Sequence, residues 1–123
     1  ANKGVWYEPK LVRGKTTPRE SIKAQPALFE TVRAGMRDGV VFGSSRALAD
    51  LPFAAAGKTG TAQSSQEKNT HAWFTAFAPY DAPEIVVTVL IEEGGEGSSY
   101  AVPVAKKVLQ AWWRLKTERG GTF

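Results

Sequence analysis

Three extended segments joined by short connections constrain this chain more than any other feature. Residues 53–62, 72–78 and 85–92 read as strands, and the last two are rich in Val, Ile, Phe, Thr and Trp, residue types that suit a pleated, half-buried surface. Residues 53–62 are rich in Gly and Ala and make a poor strand on propensity alone. The connections 63–71 and 79–84 are short enough for antiparallel hairpin neighbours, so the strand order is expected to be sequential within a sheet spanning 53–93. Gly94, Gly95 and Gly97 then form a bend, and Ser98 or Ser99 can cap a final helix over 98–117. That helix carries Val104, Ala105, Val108, Leu109, Trp112 and Leu115 on one stripe, which needs an apolar surface to cover. The economical arrangement is α+β: an antiparallel sheet with the terminal helix packed on one face.

The first half is less regular. Residues 1–25 mix glycine, proline and charge into a loop-rich lead-in, with Val5-Trp6-Tyr7 and Leu11-Val12 as short extended candidates. Pro26 suits a first helical position, Leu28, Phe29, Val32 and Met36 recur at helical spacing, and Gly39 fits a stop, which predicts a helix over 26–40. Residues 43–50 read as a connection with one helical turn around 46–49.

Composition removes several chemistries. There is no cysteine, hence no disulfide, no thiolate nucleophile and no cysteine metal site, and the single histidine, His71, cannot build a metal site unaided. No metal or cofactor is expected. The net charge is +4, and the last segment is locally basic through Lys106, Lys107, Arg114, Lys116 and Arg119. Those charges are not interleaved with a binding motif, so they read as a solvated helix face and no nucleic acid partner is expected. No apolar run approaches the roughly 18 residues of a membrane span, and no signal-peptide pattern opens the chain. The start at Ala1, without methionine, reads as a cut inside a longer protein, with any targeting signal or anchor upstream.

The segment that carries chemistry is Ala54-Ala55-Ala56-Gly57-Lys58-Thr59-Gly60-Thr61-Ala62. It joins a lysine, two hydroxyls and two glycines with nothing bulky beside them. On a strand, Lys58 and Gly60 share one face while Thr59 and Thr61 share the other. Glycine weakens a strand interior and is tolerated where a ligand approaches the backbone closely. Gly57-Lys58-Thr59 also ends the phosphate-loop pattern G-x-x-x-x-G-K-[ST], but Pro52 occupies the position of the leading glycine. Proline has no N–H and a fixed φ, and the wholly polar stretch 63–70 replaces the helix that should follow, so a phosphate loop is set aside.

Lys-Thr-Gly is also the third motif of serine acyltransferases that act on penicillin or its natural counterpart. Here it is extended to Gly57-Lys58-Thr59-Gly60-Thr61-Ala62-Gln63, followed by His71-Ala72-Trp73-Phe74, Phe77-Ala78-Pro79-Tyr80 and Glu93-Gly94-Gly95. With these segments the sequence resembles class B penicillin-binding proteins, especially the elongation type, over nearly its whole length. The resemblance implies the C-terminal part of a transpeptidase domain that cross-links peptidoglycan. A serine attacks the D-Ala-D-Ala bond of a stem peptide, a second stem's amine resolves the acyl-enzyme, and β-lactams trap the same serine.

Carried onto this sequence, the resemblance makes Lys58 line the cleft, supplying positive charge for the substrate carboxylate and the proton-moving hydroxyl network. Thr59 and Thr61 would hydrogen-bond that carboxylate, a charge-assisted and therefore stronger bond. Thr61 would also give its backbone N–H to the oxyanion hole, where one donor is typically worth about 2.7 to 4 kcal/mol, and Gly60 would keep the strand open. The implied partners are the N-terminal portion of the same protein carrying the nucleophile, peptidoglycan stem peptides, β-lactam antibiotics, and a membrane glycosyltransferase of the elongation machinery. The implied location is the outer face of the bacterial cytoplasmic membrane.

The departure from the family pattern is large. S-x-N is absent, and the one S-x-x-K match, Ser65-Gln66-Glu67-Lys68, lies in a polar hairpin with no apolar stripe after it. The nucleophile is therefore expected outside this chain and not at Ser65. A β-lactam or peptidoglycan sensor without turnover, and a β-lactamase, are the alternatives. His71 at a strand start reads as structural, Trp73, Trp112 and Trp113 as packing, and Glu92, Glu93 and Glu96 as a solvated, glycine-rich bend.

Overall fold

The computed structural model describes residues 1–2, 4–12, 14–63 and 69–120. In chain order its elements are strands β1 (Val5–Tyr7) and β2 (Pro18–Ser21), helix α1 (Pro26–Val41), a 3₁₀ turn (Arg46–Leu48), strands β3 (Ala56–Gln63), β4 (Thr70–Ala78) and β5 (Ile85–Ile91), and helix α2 (Ala101–Glu118). Strands β3, β4 and β5 form an antiparallel sheet in sequence order, and β1 pairs with β2 separately. The architecture is α+β, as the strand and helix patterns predict. Among the described residues no helix is long and apolar enough to cross a membrane.

The sheet has one dry face. Along β4, Ala72, Phe74, Ala76 and Ala78 are wholly buried. They stand in rows with Ile91, Val89, Val87 and Ile85 of β5 and, across the other ladder, with Thr61, Thr59 and Gly57 of β3. Helix α2 covers this face with Ala101, Val102, Ala105 and Leu109. The small residues on both elements let the helix approach the sheet closely, and the burial of a side chain such as Phe74 stabilises by about 1.5–3 kcal/mol. The buried stripe of α2 is rotated from the expected one: Ala105 and Leu109 belong to it, but Val104, Val108 and Leu115 are each about 40% exposed. Lys106 joins α2 to the connection between the 3₁₀ turn and β3 through Asp50, whose carboxyl the lysine's hydrogen bond holds below the usual carboxylate range.

Helix α1 runs beside β3. Arg37 donates to the Ala55 carbonyl at 2.9 Å. The buried Arg33 guanidinium lies 5.3 Å from the Phe77 ring and 5.0 Å from the Tyr80 ring, and donates to the carbonyls of Tyr80 and Ala1 at 2.6 and 3.1 Å. Such stacking on aromatic faces while the fork of N–H groups hydrogen-bonds elsewhere is available to arginine and not to lysine.

Several boundaries differ from the sequence expectations for physical reasons. Helix α1 continues past Gly39 to Val41, because Gly39 serves packing: a Cβ there would lie 3.1 Å from the Gly57 carbonyl oxygen. Strand β3 starts at Ala56, not at residue 53. Phe53 leaves the strand line to pack against Trp112 and Trp113, at ring distances of 5.6 and 4.8 Å. Leu11 and Val12 form no strand, and β1 takes the polar Pro18–Ser21 as its partner. Helix α2 starts at Ala101 without a capping side chain from Ser98 or Ser99. The Gly97 carbonyl accepts from the N–H groups of Ala101 and Val102 instead.

A Cβ at residue 57 would fall 2.5 Å from Phe74 Cζ and 3.1 Å from the Thr75 carbonyl oxygen. Because the ring is locked in the core, Gly57→Ala should destabilise the fold by roughly 1–3 kcal/mol. Urea unfolding of the full-length protein reads this as a lower midpoint with an unchanged slope.

Candidate active site on the edge of β3

Strand β3 is an edge strand, so every second residue turns its backbone N–H and C=O away from β4. The pairing parity is fixed by two outward carbonyls: that of Ala55, which accepts from Arg37, and that of Thr59, which accepts from Lys58 Nζ at 2.7 Å. Thr61 has the same parity, so its N–H faces the free edge as well. Helix α1 covers this edge at its beginning, through Arg37 and Gly39. Further along stand Lys58 and Thr61, both exposed, and Thr59 and Gly60, both half-buried.

The side chains leave the strand as alternation requires. Thr59 and Thr61 are on the Phe74 side and Lys58 and Gly60 on the Trp73 side, as the opposed pairs Thr59 with Phe74 and Gly60 with Trp73 record. The lysine is long enough to undo that separation. Its ammonium folds back to the edge and binds the Thr59 carbonyl, which puts the positive charge on the edge that the Thr59 and Thr61 backbone groups face. The residues expected to act together, Lys58, Thr59, Gly60 and Thr61, thus share one strand edge. An ammonium, two hydroxyls and an outward N–H in a row suit a carboxylate or a developing oxyanion.

Packing also limits the size of residue 60. A Cβ there would meet Trp73 Cβ at 3.1 Å. Behind the pair, Gly97 comes so close that its own Cβ would lie 2.3 Å from the Trp73 carbonyl oxygen and 2.7 Å from that of Gly60. The glycine-rich bend after β5 therefore supports the strand that carries the site.

Sequence reasoning missed Ser44. It follows α1 and its Oγ lies 2.8 Å from Thr59 Oγ1. A serine in a Gly-Ser-Ser connection has no periodicity or motif to mark it, and only the packing of α1 on β3 brings it to the site. His71, by contrast, accepts the Glu93 N–H on Nδ1 at 3.0 Å, a role in shaping the bend, where Glu93 has φ of 51°. Glu92, Glu93 and Glu96 are exposed. Ser65 and the rest of the Ser65-Gln66-Glu67-Lys68 match lie outside the described residues. Among the described residues no group of three or more His, Asp or Glu gathers where it would hold a metal ion.

The antiparallel α+β layer and its Lys-Thr-Gly-Thr edge strand find their match in the family comparison. The sequence pattern of the penicillin binding protein transpeptidase domain matches residues 1–110, and the chain belongs to that family. Among its relatives is the peptidoglycan D,D-transpeptidase MrdA of Haemophilus influenzae, 44% identical over 85% of this chain and 18% of that protein. Similar solved structures include Pseudomonas aeruginosa PBP2 in complex with WCK 5153, at 38% identity and a TM-score of 0.68, covering 78% of this chain and 22% of that one. The ceftriaxone acyl-enzyme complex of penicillin-binding protein A from Mycobacterium tuberculosis is similar at 25% identity and a TM-score of 0.77, covering 89% and 29%. The chain spans less than a third of each of these proteins.

Because Gly97 touches backbone and not a movable side chain, Gly97→Ala should push the bend off β3 and β4. The expected result is a lower melting temperature together with faster hydrogen exchange at the Gly60 amide, which pairs with Trp73 in the ladder. Unchanged exchange at Gly60 would mean that the bend does not support the strand.

Proposed function

We propose that this chain is the C-terminal part of the transpeptidase domain of an elongation-type peptidoglycan D,D-transpeptidase and forms one wall of its active site. The observation that carries this is an edge strand that bears Lys58, Thr59, Gly60 and Thr61 in succession, with the Lys58 ammonium held at that edge on the Thr59 carbonyl. The nucleophilic serine belongs to the N-terminal portion of the same protein. Its Oγ attacks the carbonyl of the D-Ala-D-Ala bond, an ester forms, and the terminal D-Ala leaves with the proton. The amine of a second stem peptide then attacks the ester, the cross-link forms, and the serine hydroxyl is restored.

In that sequence the terminal carboxylate of the stem peptide, or of a β-lactam, lies against Thr59 and Thr61 with Lys58 nearby. Two hydroxyl donors and a positive charge select an anion over a neutral chain end. The Thr61 N–H stabilises the oxyanion of the tetrahedral intermediate. Gly60 leaves the strand flat between the two threonines. Lys58, in addition to its charge, helps move protons through the hydroxyl network. No cofactor or metal takes part in this scheme.

The named activity of the H. influenzae relative and the acyl-enzyme state of the M. tuberculosis one support this reading. The further partners are peptidoglycan stem peptides and β-lactams at the outer face of the bacterial cytoplasmic membrane, with a membrane glycosyltransferase of the elongation machinery. No observation favours a sensor without turnover or a β-lactamase.

Intact-mass measurement of the full-length protein after incubation with a penicillin should show one adduct that maps, after digestion, outside this chain. Lys58→Ala should slow that acylation by roughly ten- to a hundredfold, the weight of a hydrogen bond to a charged group. An adduct on a residue of this chain, or an unchanged rate in Lys58→Ala, would overturn the proposal.

A further inference from the structure

Thr59 does not stand alone on the strand edge. We infer that Ser44 is a positioning residue that fixes the Thr59 hydroxyl for donation to a ligand carboxylate, an inference that rests on the carboxylate-binding role proposed for Thr59.

Three observations carry it. The two hydroxyl oxygens lie 2.8 Å apart, and among the described residues neither has another side-chain partner. Ser44 is held by its backbone surroundings: the N–H groups of Phe42 and Gly43 both bond the Asp38 carbonyl, and that of Ser45 bonds the Gly39 carbonyl, which lashes the turn to the last helical residues of α1. A Cβ on Gly43 would lie 3.0 Å from Gly39 Cα, so the turn packs directly on the helix. The helix is seated in turn on β3, where a Cβ on Gly39 would lie 3.1 Å from the Gly57 carbonyl oxygen. Two close approaches, both at glycine, therefore set the height of Ser44 above Thr59. Ser45 beside it is 1% exposed and anchors the turn in the interior.

The chemistry follows from what a hydroxyl has to give. It carries one proton and two lone pairs. A carboxylate only accepts, so when it binds Thr59 the threonine proton must point at the ligand. The bond between the two side chains must then run from Ser44 Oγ–H to a Thr59 lone pair. By donating in the liganded state, Ser44 leaves the Thr59 proton for the ligand and holds the Thr59 χ1 in the donating rotamer. A backbone carbonyl in the place of Ser44 would accept the threonine proton and compete with the ligand. A serine can reverse its role.

The test compares acylation rates of full-length protein by a penicillin and by the methyl ester of the same penicillin, which lacks the carboxylate charge. Ser44→Ala should slow acylation by the free acid roughly three- to tenfold and leave the slower reaction with the ester unchanged. Ser44→Thr, which keeps the hydroxyl, should restore the rate with the acid. Ser44→Ala combined with Thr59→Ala should be no slower than Thr59→Ala alone. If Thr59→Ala slows the acid while Ser44→Ala does not, the positioning role is wrong and the carboxylate role of Thr59 stands. If neither substitution has an effect, both are wrong. Equal losses with acid and ester in Ser44→Ala, or no recovery in Ser44→Thr, would reduce Ser44 to a packing residue and overturn the inference.

Discussion

The fit of two aromatic residues of β4 to two glycines of β3 governs this structure. The buried Phe74 ring occupies the place where a side chain at residue 57 would stand, and Trp73 crowds the position of one at residue 60 from the opposite face. A strand that reads Ala-Gly-Lys-Thr-Gly-Thr-Ala-Gln is a poor strand by itself, since glycine loses the most backbone entropy and contributes no packing. Placing an aromatic neighbour over each glycine supplies the missing contact from the partner strand. The ladder is thereby held in one register, since a slip of one residue would put Ala56 or Lys58 under the Phe74 ring and Thr59 or Thr61 against Trp73. Everything that the site needs depends on this register, including which backbone groups of β3 face outward.

The same glycines also explain what was readable in the sequence and what was not. Strands β4 and β5 announce themselves through β-branched and aromatic residues, and α2 through an apolar stripe, so the α+β arrangement follows from local pattern. Gly39 misleads, because a glycine near a helix end reads as a stop when it is in fact a contact surface for the Gly57 carbonyl. Strand β2 is invisible for the opposite reason: Pro18, Arg19, Glu20 and Ser21 are all exposed, and no apolar alternation marks a strand that buries nothing. Lys58, Thr59, Gly60 and Thr61 could be singled out because unusual residue types cluster in sequence. Ser44 could not, since its place beside Thr59 is produced by helix packing across 15 residues of separation.

An exposed strand edge is a hazard, because its unpaired groups can recruit another strand. Here the first part of the β3 edge is covered by α1, with the Arg37 guanidinium on the Ala55 carbonyl. The part beyond is guarded by charge, with the Lys58 ammonium lying on the Thr59 carbonyl. A lysine on an edge disfavours the addition of another strand, because pairing would strip water from its ammonium, and it costs little while it stays hydrated. For an anionic ligand the same charge is an attraction. The feature that keeps this edge from pairing indiscriminately is thus also one that suits the carboxylate ligand proposed for it.

That double use has a geometric condition. The ammonium can serve both the Thr59 carbonyl and a ligand only if it remains at the edge, and its side chain leaves the strand on the Trp73 face, away from the threonines. Glycine at residue 60, the next residue on that face, leaves room beside the lysine stem, where a larger residue would meet Trp73 first. The order lysine, threonine, glycine, threonine is therefore a solution to one steric problem: charge from one face and hydroxyls from the other must meet along a single edge. An alternating pattern with a bulky third residue would force the strand away from Trp73 and lose the register on which the outward Thr61 N–H depends.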